Sequence, residues 1–135
     1  MAAARARAAE AGIDAQIEWV EADLARWEPG RTWDLVVTNY AHADIGQLAF
    51  YERLSSWVSP GGTLLIVGHL HSHHEEDRGA HDHPESATAT LDTITHLFRG
   101  PHWRIETGYE NTRTVHPGGH AAHLRDVIVR AHRLT

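Results

Sequence analysis

Two stretches of near-unbroken apolar character, residues 33–40 (WDLVVTNY) and 63–67 (TLLIV), constrain the fold of this chain more than any other feature. Both are β-branched and of strand length, and a strand lacking polar alternation is one covered on both faces. Between them a helix is expected from Asp44, a good capping residue, to about Val58, because Leu48, Tyr51, Leu54 and Trp57 recur at spacings of three and four. Ser59-Pro60-Gly61-Gly62 then stops the helix. Strand, helix and strand in that order form the repeating unit of an open α/β sheet.

The flanking sequence extends this unit. An alanine-rich opening that stops at Gly12 reads as the end of a helix, and the alternation over 15–20 (AQIEWV) reads as a strand. A second helix is expected from about Glu85 to Phe98, with Leu91, Ile94 and Leu97 on one side. Residues 102–109 and 124–131 then form two strands joined through Pro117-Gly118-Gly119. Alternation that ends in two adjacent strands implies a mostly parallel sheet with an antiparallel last strand. The 135 residues have enough apolar content for one core, so a single domain spanning 1–135 is expected.

Several function classes are excluded at this stage. A net charge of −6 gives no electrostatic basis for a nucleic-acid partner. Without cysteine there are no disulfides, thiolate metal sites or thiol nucleophiles. No apolar run approaches the roughly 20 residues that span a bilayer, and residues 1–11 lack the apolar stretch of a secretory signal. A cytoplasmic location is predicted.

Thirteen histidines are present, and they are concentrated over a loop from 69 to 84. His69, His71 and His73 alternate, and His74, His81 and His83 follow among Glu75, Glu76, Asp77 and Asp82, a nitrogen-and-oxygen set suited to zinc, nickel or copper. The spacing matches no fixed metal motif, so a solvated loop accounts for the same composition.

The order of elements, together with VEADL at 20–24, WDLVV at 33–37 and WVSPGGTLL at 57–65, resembles the class I S-adenosylmethionine-dependent methyltransferases, in particular the small bacterial tellurite-resistance-type and thiopurine-type enzymes. The resemblance implies a three-layer Rossmann-like sheet and methyl transfer from S-adenosylmethionine to a small-molecule nucleophile. It also implies that the chain starts inside a helix, without the first two strands and glycine-rich turn of that fold. Asp23 and Leu24 would meet the adenine, and Asn39 and Tyr40 would flank the methyl donor. His42 and Tyr40 would be catalytic, His42 as an optional base. Asp23 fits a turn cap equally well, Asn39 and Tyr40 fit a turn residue and a packed aromatic, and Trp19, Trp33 and Trp57 read as core. The competing function is divalent-metal binding by the histidine loop on a retired scaffold.

Loss of two strands would leave the strand at 17–20 stranded and open one edge of the strand at 35–39. Either the first strand slides across to pair there, or two chains form a homodimer through exposed edges.

Overall fold

The computed structural model describes residues 2–70, 89–116 and 121–135. A short helix α1 (Ala2–Glu10) and a single 3-10 turn (Asp14–Gln16) precede β1 (Trp33–Asn39), α2 (Gln47–Ser55) and β2 (Val58–Leu70). Then come α3 (Leu91–Leu97), β3 (Trp103–Val115) and β4 (Ala122–Arg133). The fold is mixed α/β with one four-stranded sheet in the order β1-β2-β4-β3, open at both ends. β1 and β2 run parallel, while β4 inserts antiparallel to both β2 and β3. The last strand is therefore antiparallel, as the sequence implied.

The core lies on the face of the sheet covered by α2 and α3. Leu64 and Ile66 of β2, Val127, Val129 and Ala131 of β4, Phe50, Tyr51 and Leu54 of α2, and Ile94 of α3 are all buried there. Thr90 starts α3 with a capping box, its hydroxyl accepting from the Thr93 amide while Thr93 returns a bond to the Thr90 amide. Gly62 is required where β2 passes β1, since a Cβ would sit 2.8 Å from the Ser59 carbonyl oxygen and 3.0 Å from that of Asp34.

Two expectations are corrected. Residues 17–20 form no strand; Trp19 is half-buried, and its indole is tied to Asp14 and lies under Arg5. Among the described residues no strand pairs with this segment to reward extension. Trp33 and Trp57 do join the core, forming with Trp27 a cluster of tilted and edge-on rings 5.3–6.5 Å apart. Helix α2 is shorter than predicted because Gly46, at φ 82°, sets its start and the chain is already strand by Val58.

The layers are seen in part. Among the described residues α2 and α3 cover one face, whereas the other exposes Leu35 (59%), Val37 (46%) and Tyr109 (49%). Among the described residues the first-strand repair of the β1 edge does not occur, and β1 ends the sheet. Val36, between two exposed residues, packs against the core.

Residues 24–28 lie against the core without regular structure. Arg53 of α2 holds them: Nε donates to the Leu24 carbonyl at 2.9 Å, and one terminal nitrogen donates to the Trp27 carbonyl at 2.7 Å and to Glu28 at 2.9 Å.

Candidate active site

The carboxyl ends of β1, β2 and β3 meet the start of β4 at one end of the sheet, the end at which open α/β sheets hold their ligands. Pairing of His69 with Asp126 across β2 and β4 puts both side chains on the uncovered face. Asp126 is 3% exposed and would be costly there as an isolated charge. It is not isolated. His69 Nδ1 donates to Oδ1 at 3.0 Å, and Arg113 Nε donates to Oδ2 at 2.7 Å.

These contacts set the protonation of the cluster. Burial pushes the Asp126 carboxyl up, but the hydrogen bonds from Arg113 and His69 outweigh it and hold the group below the usual carboxylate range. The Arg113 guanidinium is correspondingly held above its ordinary value, chiefly by its bond to Asp126. An ionised carboxylate accepts only, so the proton of neutral His69 lies on Nδ1 and the lone pair on Nε2.

Tyr40, immediately after β1, closes the group. Its ring stacks on the His69 imidazole with centroids 4.2 Å apart and planes inclined by 22°, and the Arg113 guanidinium carbon lies 5.5 Å from the Tyr40 centroid. Among the described residues Tyr40 alone, apart from glycines, has positive φ, at 52°. The amide of Tyr40 donates to the Val67 carbonyl at 2.8 Å, anchoring this left-handed turn. Non-glycine residues in that region cost about 1–3 kcal/mol and gather at functional sites.

Of the residues singled out by sequence, Tyr40 and His69 come together here. Asn39 is exposed at the last position of β1, paired with Val67. His42 is an exposed neighbour whose Nδ1 donates to Gln47 at 2.8 Å, Gln47 being itself buried and bonded to the Ala41 carbonyl. Asp23 serves its own turn: Oδ1 accepts from the Ala25 amide at 3.0 Å and Oδ2 from Arg26 at 3.3 Å. Leu24 packs inward against the core, with its carbonyl taken by Arg53. Asp23 and Leu24 thus already have partners within the chain.

His71, His73, His74, His81 and His83 lie outside the described residues. Among the described residues no three His, Asp or Glu side chains converge as metal ligands, and His69 spends one nitrogen on Asp126. A groove of about 420 Å³ between α3 and β3, lined by Leu91, Thr95 and Glu110, shares no residue with the cluster.

Sequence reasoning missed Asp126 and Arg113. The available signal was a single acid inside the apolar run LRDVIV at 124–129, a position where a carboxylate is tolerated only with partners.

No known protein family matches the chain, and no curated protein does. A solved structure concerned with the conversion of a disulfide bond into a thioacetal group during echinomycin biosynthesis is similar to it, with a TM-score of 0.61 at 16% identity. The match covers 96% of this chain, which spans 61% of the length of the other. At that identity the likeness is one of fold. The resemblance to tellurite-resistance-type and thiopurine-type class I methyltransferases is therefore corrected, since no family match supports it and the structural likeness is to a protein described by a different conversion. The residues behind it are an acid at a turn, an apolar strand and a Gly-Gly reversal. Those are requirements of an open sheet and specify no particular family.

No helix among the described residues is long and apolar enough to cross a membrane.

Proposed function

We propose that this chain carries an acid–base site for group transfer to a small-molecule nucleophile, with His69 as the base and Asp126 as its orienting partner. The observation that carries this reading is the 3.0 Å bond from His69 Nδ1 to a buried carboxylate, at the strand ends of the sheet face that α2 and α3 leave uncovered. That bond fixes the tautomer and leaves Nε2, which has no partner among the described residues, to take the proton of the attacking nucleophile. The resulting imidazolium would be stabilised by the Asp126 charge and the Tyr40 ring face. His42, held by Gln47, is the alternative base within the same end of the sheet.

Methyl transfer from S-adenosylmethionine is the transfer we propose to test first, the described residues contributing its acceptor side only. That the structural neighbour acts on a disulfide makes sulfur compounds the first acceptors to try. A Rossmann-like sheet of three layers and association of two copies through the β1 edge belong to the same proposal.

The test follows labelled methyl from S-adenosylmethionine into a panel of small thiols, disulfides, amines and phenols between pH 5 and 9. Transfer to at least one class is expected, dropping at least about a hundredfold in His69→Gln. No label in any acceptor at any pH would overturn methyl transfer, and a rate indifferent to His69→Gln would remove His69 as the base.

A further inference from the structure

Arg113 is more than a partner for Asp126. Its Nε is committed to Oδ2 at 2.7 Å and the Tyr40 hydroxyl is a further hydrogen-bonding neighbour, which leaves the guanidinium with N–H donors to spare, since it carries five. The side chain is 39% exposed, so those donors are reachable from solvent. The guanidinium is also held in place from two sides, by the buried carboxylate and by the Tyr40 ring 5.5 Å away. A guanidinium fixed through Nε presents its remaining donors as a rigid fork, the geometry that suits an oxyanion.

Charge points the same way. Asp126 neutralises one positive charge, and Arg113 supplies it permanently, so protonation of His69 makes the cluster net positive. Among the described residues the further ionisable neighbour of the cluster is Tyr40. Glu110, the acid next along β3, is engaged by Arg125 at 2.6 Å, away from Arg113. An anionic group seated on the Arg113 fork would sit beside His69, because both side chains bond to the same carboxylate.

We infer that the molecule bound at this site carries an oxyanion, a carboxylate or a phosphate, gripped by the free end of the Arg113 guanidinium next to His69. This rests on the acid–base reading for its purpose but not for its detection. Arg113 fixes which acceptors enter, and His69 deals with their proton.

The experiment titrates the full chain with sodium acetate, sodium phosphate and, at matched ionic strength, sodium chloride, following the Arg113 Nε–H and His69 Cε1–H resonances. A saturable shift with acetate or phosphate that chloride does not reproduce is expected, and the arm that produces it identifies the anion. Arg113→Gln should weaken binding at least tenfold, and Arg113→Lys, which keeps the charge and loses the fork, should weaken it severalfold. Thermal melts establish that each variant is folded. His69→Gln should retain the Arg113 shift, so loss of base function and loss of anion binding are separable. Equal responses to all three salts, or binding unchanged in Arg113→Gln, would overturn the inference.

Discussion

The two faces of the sheet use their residues in opposite ways. On the covered face β2 and β4 contribute Leu64, Ile66, Val127 and Val129, every one fully buried. On the other face the same strands contribute His69 and Asp126, and β1 leaves Leu35 and Val37 largely exposed. Alternation along a strand is strict, so adjacent residues have unrelated duties: Asp126 holds a polar cluster and Val127, one position on, fills the core. One face carries stability, and the other carries a polar cluster at its end.

The largest effect should come from the covered face. Ile66→Ala removes a side chain with no solvent exposure and is expected to cost about 2–5 kcal/mol in denaturant unfolding, the residual cavity setting the exact figure. A change below 1 kcal/mol would mean that the core is not where the structure puts it.

Smaller, and dependent on pH, is Asp126→Asn. Replacing the carboxylate leaves Arg113 and His69 without their shared acceptor and should cost about 1–3 kcal/mol at neutral pH. Because the folded-state pKa is lowered, the stabilisation is fully present above the unfolded value near 4 and disappears as pH falls through the lower folded value. The difference between wild type and variant should therefore shrink only below about pH 4. A difference that is flat from pH 3 to 7 would show that the carboxylate charge contributes nothing.

The smallest effect in stability should come from the open face, and it is the sharpest test of the alternation. Val37→Lys changes an exposed residue and should stay within about 0.5 kcal/mol, while Val36→Lys places a charge against the core and should be severely destabilising. If two copies associate through the β1 edge, Val37→Lys should also shift sedimentation toward monomer at micromolar concentration. A wild-type protein that sediments as a monomer would remove that association.

The strands at 33–40 and 63–67 were legible because continuous apolar character needs no partner to be recognised, and the antiparallel last strand followed from element order. The missing strand at 17–20 was not, since alternation such as AQIEWV becomes a strand only where another strand supplies hydrogen bonds. The site was half legible. Tyr40 and His69 stood out by position and composition, but Asp126 and Arg113 reach them through register across β2, β4 and β3, and Asp126 is 57 residues from His69. Pairings at that separation are not written in local pattern.

The left-handed backbone at Tyr40 sets stability and selection against each other. Glycine adopts φ near 52° without penalty, so Tyr40→Gly would relax the turn, and a screen that rewards only heat resistance would favour it. The same replacement would erase the ring stacked on His69 and the platform beneath Arg113. A tyrosine retained at this position through mutagenesis under functional selection, and lost under thermal selection alone, would mark it as a residue kept for its ring at the expense of its backbone.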